Sequence, residues 1–233
     1  MKVACSWSGG KDSCLACWKA MAGGHDVRYL VNFVSTGLGK DSFHGTKAEL
    51  MRMQSEAVSI PMIQRETTWD GYEKEFRDVM KRIREEGIEG LVTGDMDILE
   101  HRKWVEDMCR EFDLQPLLPL WGLGREAILG EFIGAGFEAV VVCVKGDFLG
   151  EEWLGRVIDE RFVVDLQDNS RSSGLDICGE NGEYHSFVVD GPIFRQRISV
   201  TLGGRTWRDG YGFLDIDSAR LIKKVDGCSG AGE

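Results

Sequence analysis

The stretch Lys2-Val3-Ala4-Cys5-Ser6-Trp7-Ser8-Gly9-Gly10-Lys11-Asp12-Ser13 decides the fold. Lys2 to Trp7 form a short apolar strand, and the residues from Asp12 to Met21 read as a helix. Between them, Gly9 and Gly10 let the backbone turn tightly and bring N–H groups close to an anion. The start of the helix adds unpaired N–H donors and a partial positive charge. Ser8 and Ser13 supply hydroxyl donors, and Lys11 neutralises phosphate charge. Asp12 is the odd member, because a carboxylate beside phosphates repels them unless a divalent cation such as Mg2+ lies between. The run is not a Walker A loop, which needs GxxxxGK[ST]. An ordinary strand-to-helix turn is the plain alternative; position, composition and length favour a phosphate loop.

Working outward, strand and helix signals alternate. Val27 to Ser35 is a second strand, and Thr46-Lys47-Ala48-Glu49 has capping-box spacing ahead of a helix with Leu50, Met53 and Ala57 on one face. Ile60 to Arg65 is a third strand. Tyr72, Phe76, Val79, Met80 and Ile83 form a helical stripe closed by Gly87. A strand at Gly90 to Thr93, a helix from about Leu99 to Phe112, Leu117 to Trp121, a helix from Arg125 to Ala135 and a strand at Ala139 to Val144 continue the series. Near-continuous apolar strands between helices predict an α/β fold with a doubly wound, mostly parallel sheet over residues 1–146. A smaller α+β region is expected over 147–226. It has a short helix around Trp153 to Asp159, and Ile198 to Leu202 and Tyr211 to Ile216 form a hairpin about Gly203-Gly204. Residues 227–233 read as a disordered tail.

Bulk properties narrow the setting. The 233 residues are 42% hydrophobic with a formal net charge of −11. That length supports a real core, and an acidic surface disfavours generic nucleic-acid binding. The seven cysteines are odd in number and several sit in apolar runs, which fits free thiols in a reducing compartment. Cys14 and Cys17 have metal or redox spacing, but they fall inside a helix and read as small buried residues. No leader and no bilayer-length apolar run is read, so a cytoplasmic protein without membrane contact is expected. A homo-oligomer is left open.

A second motif lies far downstream: Gly179-Glu180-Asn181-Gly182-Glu183-Tyr184-His185, followed by Phe187-Val188-Val189-Asp190-Gly191-Pro192-Ile193-Phe194. Two carboxylates on a Gly-flanked turn can meet a metal, an ammonium ion or an amine nucleophile, and desolvation would tune their pKa values. Asn181-Gly182 is also an ordinary hairpin dipeptide. The run SGGKDS after a first strand resembles the PP-loop of the N-type ATP pyrophosphatase superfamily. The resemblance implies an adenine nucleotide alpha hydrolase-like fold and cleavage of ATP between its α- and β-phosphates. Both motifs together closely resemble the diphthine–ammonia ligase family. So do Gly94-Asp95 through His101-Arg102, Val105-Glu106 and Cys109, then Pro119-Leu120-Trp121, Trp153-Leu154-Gly155 and Trp207-Arg208-Asp209-Gly210, a likeness reaching about residue 224.

The resemblance implies an ATP-dependent amide ligase. It would adenylate a carboxylate and release AMP and pyrophosphate on attack by ammonia. The acceptor implied is diphthine on elongation factor 2, with free ammonia as donor because no glutaminase domain is visible. Lys11, Asp12, Glu180 and Glu183 are the expected catalytic residues. Ser8, Gly9, Gly10, Lys11, Asp12, Ser13, Gly94 and His44 are expected to bind ATP, and Asp12 and Asp95 to hold Mg2+. Asn181, Tyr184, His101 and Arg102 are expected to contact substrate, whereas Trp69, Trp104 and Trp121 read as core. The chain lacks the C-terminal extension of some eukaryotic relatives. Diphthamide belongs to archaea and eukaryotes, so in a bacterium the same machinery would amidate a small molecule. A tRNA-modifying PP-loop enzyme would bring a basic face and catalytic cysteines, and a non-catalytic nucleotide-binding regulator is opposed by Lys11, Asp12 and Ser13.

Overall fold

The strand β1 (Lys2–Ser6) sets the layers, because its alternate side chains enter two different cores. In the computed structural model, which describes residues 1–35, 48–68 and 70–224, Val3 and Cys5 pack on one face and Ala4 on the other. The order of elements is β1, α1 (Lys11–Ala22), β2 (Asp26–Ser35), α2 (Ala48–Val58), β3 (Met62–Thr67), α3 (Tyr72–Glu85), β4 (Gly90–Val92), α4 (Leu99–Glu111) and β5 (Gln115–Leu117). These strands make a parallel sheet in the order β3-β2-β1-β4-β5. Helices α3 and α4 cover one face through Phe76, Val79, Met80, Ile83, Val105 and Met108. Helices α1 and α2 cover the other. The order reverses between β1 and β4, and ligands bind open α/β sheets at the carboxyl ends of strands at such a point. The doubly wound parallel sheet is as expected.

The second sheet is antiparallel, in the order β7-β6-β9-β8. Its elements are α5 (Arg125–Gly134), β6 (Glu138–Lys145), a 3-10 turn (Glu151–Trp153), α6 (Glu160–Ser173), β7 (Tyr184–Asp190), β8 (Gln196–Arg208) and β9 (Tyr211–Lys223). Three expectations are corrected here. First, β6 does not continue the parallel sheet, so a boundary at 146 would cut the second sheet; the two sheets divide between β5 and β6. Ala139 to Val144 are all buried, and a strand covered on both faces reads the same in either kind of sheet.

Second, the short helix expected around Trp153 to Asp159 is a 3-10 turn followed by the unexpected 14-residue α6. The Asp159 carboxylate accepts from Phe162 N at 2.7 Å as its N-cap, Phe162 and Leu166 are buried, and Gly174 ends it with φ +71°. Third, the hairpin turns at Asp209-Gly210, both with positive φ, while Gly203-Gly204 forms an irregularity within β8. The expected capping residues Thr46 and Lys47, together with Trp69 and the tail 227–233, lie outside the described residues. Among the described residues no helix is long and apolar enough to cross a membrane.

The sheets meet at the loop after β1. The Gly9 carbonyl accepts from Val188 N of β7 at 3.0 Å, and Lys11 N donates to Ser186 Oγ at 3.1 Å. Gln54 of α2, fully buried, locks the seam: its Nε2 donates to the carbonyls of Gly9 and Val188 at 3.0 and 2.8 Å, and its Oε1 accepts from Trp7 Nε1 at 2.8 Å. Replacing it strips the buried Trp7 Nε1 of its acceptor and takes a donor from the Gly9 and Val188 carbonyls. Gln54→Ala is expected to lower unfolding free energy by about 2–4 kcal/mol in urea titrations, more than a typical surface change.

Candidate functional site

Lys11 opens α1 and is only 4% exposed. Its Nζ donates to Asp12 Oδ2 at 2.9 Å and to the Cys178 carbonyl, and lies over the Tyr184 ring at 5.1 Å from the centroid. Burial works against the ammonium charge, but Asp12, first by its charge, together with Tyr184 and Cys178, offsets that cost and holds the pKa above the ordinary lysine range. Lys11 is therefore a permanent cation. The loop is pre-shaped around it: Ser13 Oγ donates to the Gly10 carbonyl at 3.1 Å and accepts from Ser8 N at 3.3 Å. Gly9 has φ +77°, and a Cβ there would strike Gln54 and Met51.

The downstream motif docks on this lysine. The Cys178 carbonyl that receives Lys11 belongs to a turn tied at two carboxylates. Asp176 accepts from Cys178 N at 2.7 Å and from Arg125 Nε at 2.8 Å, and Arg125 also pairs with Asp97 at 2.9 Å. Glu183, 2% exposed, accepts from Asp176 N and Asn181 N, each at 3.0 Å, and from Asn181 Nδ2 at 3.4 Å. The two glutamates of the motif thus differ in kind. Glu183 braces the turn from inside, with its oxygens occupied by backbone, whereas Glu180 lines the open cavity. The catalytic role expected for Glu183 is not what its surroundings offer. Tyr184 likewise is buried with its hydroxyl donating to the Ile177 carbonyl at 2.9 Å, which makes it a support for Lys11 rather than a surface for substrate.

The cavity measures about 460 Å³ and lies at the carboxyl ends of β1 and β4, between Ser8, Asp12, Thr93, Asp95, Trp104 and Glu180. A neighbouring lobe of about 620 Å³ shares the wall of Tyr72, His101 and Trp104 and runs along β2 past Asn32 and Phe33. Burial pushes the Glu180 carboxyl up to about 7, with help from the charges of Asp12 and Asp95 and against that of Lys11. Burial and Asp95 push Tyr72 up to about 12. His101 Nδ1 is 3.5 Å from Asp95 Oδ1. Gly94 lines the cavity, and a Cβ there would press on the Asp12 and Ser13 backbone at 3.0–3.2 Å. Arg102 pairs with Glu106 at 2.6 Å, stacks on Trp121 and lines neither lobe. His44 lies outside the described residues. Trp104, expected in the core, is half-buried and packs on Phe76 and Tyr72 at 4.6 and 5.9 Å between centroids. A Trp on the face of α4 just after the strand end was the available signal.

Asp12 and Asp95 fit a magnesium ion in a limited sense. Asp12 Oδ1 is buried and has no hydrogen-bond partner among the described residues, and Asp95 lines the same cavity. Among the described residues no group of three or more His, Cys, Asp or Glu side chains could hold a metal alone. Mg2+ commonly takes one or two carboxylates and completes its shell with phosphate oxygens and water. Since Glu183 is structural, Glu183→Ala is expected to cost about 2–3 kcal/mol of stability in denaturant titrations, while Glu180→Ala leaves the midpoint nearly unchanged.

Two family models match the chain. One is described as the diphthamide synthase N-terminal domain over residues 1–116, the other as the diphthamide synthase C-terminal domain over residues 124–222. A diphthine–ammonia ligase of Homo sapiens is 30% identical over 224 residues, covering 86% of this chain and 83% of the relative. One of Rattus norvegicus is 30% identical over 245 residues, covering 95% and 91%. A solved structure named as a "predicted subunit of tRNA methyltransferase" from Methanocaldococcus jannaschii aligns with TM-score 0.48 and 14% identity over 82% of this chain and 98% of that one. With one matched segment on each side of the sheet-to-sheet seam, the chain belongs to the diphthine–ammonia ligase family and is an ATP-dependent carbon–nitrogen ligase.

Proposed function

We propose that the chain joins ammonia to a carboxylate of diphthine on elongation factor 2, in the cytoplasm, by way of an acyl-adenylate. The observation that carries this reading is the joining of the two motifs: the phosphate loop and the Glu180 turn share one buried lysine and one cavity. The parallel-sheet unit then binds ATP, and the antiparallel unit presents the turn that works on the acceptor.

A free carboxylate is a poor electrophile, so it must first gain a leaving group. Its oxygen attacks the α-phosphate of ATP, and pyrophosphate departs. Negative charge grows on that pyrophosphate as the bond breaks. The N–H groups at the start of α1 and the Ser8 and Ser13 hydroxyls line or border the cavity and would stabilise that charge, with the buried Lys11 ammonium adding positive charge from behind the loop. Because Lys11 is already fixed by Asp12 and Cys178, little reorganisation is needed. Asp12 and Asp95 would hold Mg2+, which supplies charge neutralisation between the carboxylates and the phosphates. Glu180 takes one proton from ammonium, and the ammonia so formed attacks the acyl carbon as AMP leaves. A carboxyl near 7 is suited to that task at neutral pH, being part ionised and more basic than an exposed glutamate.

Two outcomes follow. Turnover of the diphthine-bearing factor with ATP and ammonium should yield AMP and pyrophosphate in step with amide. ADP and phosphate would overturn the adenylation step, and AMP release indifferent to ammonium would overturn the amidation. Glu180 carries its charge only above its raised pKa, so amide formation at saturating ATP should rise with pH through about 7. Glu180→Gln should remove that inflection and cost about 10²-fold or more in kcat.

A further inference from the structure

Beside the phosphate loop, the cavity has a corner that the loop does not use. Thr93 follows β4 and is 5% exposed, lines the cavity, and its Oγ1 has no hydrogen-bond partner among the described residues. The rings of Tyr72, Phe76 and Trp104 line the same cavity, as do the carboxylates of Asp95 and Glu180. Glu180 forms no ion pair among the described residues, and its pKa is raised first by burial, then by the charge of Asp12 and, more weakly, by that of Asp95.

A buried hydroxyl without a partner is costly, and native proteins retain such groups where a ligand completes them. Aromatic faces attract a cation through the ring quadrupole, and a carboxylate behind them adds charge without filling the space. Away from Asp12 and Asp95, a second divalent metal does not suit the corner, because it wants oxygen on nearly every side and Tyr72, Phe76 and Trp104 offer rings there. Ammonium suits it. Its four N–H donors point tetrahedrally, so one can meet a carboxylate, one a hydroxyl and the others ring faces.

We propose that Thr93, Trp104, Tyr72 and Glu180 form a binding subsite for the ammonium ion. Its use in catalysis rests on the amide-ligase reading above; its existence does not. In neutral water ammonia is almost wholly protonated and cannot attack. Held in this corner, ammonium passes one proton to Glu180 and becomes ammonia beside the phosphate loop. The nitrogen lone pair forms the C–N bond, the acyl C–O bond to AMP breaks, and the second proton leaves with the departing phosphate.

The test titrates the full chain, with and without a non-hydrolysable ATP analogue, with [15N]ammonium chloride, read by saturation transfer from aromatic protons. Saturable binding is expected in the wild type. Trp104→Leu and the near-isosteric Thr93→Val should each weaken it about tenfold, and should raise the KM for ammonium in amide formation by a similar factor with the KM for ATP within about twofold. Absence of saturable ammonium binding overturns the proposal. So does wild-type binding in Thr93→Val when that variant is folded, or a rise in the KM for ATP in place of that for ammonium. Tetramethylammonium competing better than methylammonium would assign the corner to an alkylated amine on the acceptor and also overturn it. Ammonium binding that is retained while no amide forms would strike at the ligase reading and leave the subsite standing.

Discussion

A buried ammonium must be met by negative charge and carbonyl oxygen, and around Lys11 this requirement organises the rest of the molecule. Asp12 comes from the same turn, but the Cys178 carbonyl and the Tyr184 ring come from the far end of the chain. The lysine can be charged and buried only if the antiparallel unit is docked against the parallel one. The surroundings of Lys11 are therefore complete only when both units are folded and docked. The Gln54 and Ser186 hydrogen bonds hold the same seam from the side, so that the loop backbone is fixed by partners on α2 and β7.

The same docking explains how two glutamates three residues apart come to have different chemistry. Glu183 points inward, where backbone N–H groups of a tight turn need an acceptor, and its charge is used up in shaping that turn. Glu180 points to a cavity that contains Asp12 and Asp95, so its ionisation is opposed by burial and by its neighbours. Identical side chains thus become a brace and a cavity-lining carboxyl of raised pKa through environment alone. The network extends outward, since Asp176 connects the braced turn to Arg125 and through it to Asp97.

Fold and site were legible in the chain to different depths. The loop Ser8 to Ser13, the α3 stripe and the parallel strands could be read because a phosphate loop has few sequence solutions and because helical and two-sided buried periodicities are strong signals. The sheet to which β6 belongs could not, since Ala139 to Val144 look alike in either sheet. Helix α6 was hidden by its polar end, Asp168 to Ser173, although its Asp159 cap and Gly174 stop were present. The Asp209-Gly210 turn was outweighed by the neighbouring Gly203-Gly204 pair, which serves as an irregularity within a strand.

By itself, then, the sequence determined what is local: a strand, a glycine turn, a lysine and a helix start in one short run. Only the tertiary structure decided what lies across from it. Whether Glu180 or Glu183 faces the cavity depends on which way a turn is pinned by Asp176 and Asn181, and whether Trp104 is core or wall depends on where α4 crosses the end of β4. Those outcomes follow from contacts between residues distant in the chain, and periodicity along the chain carries no information about which distant groups will meet.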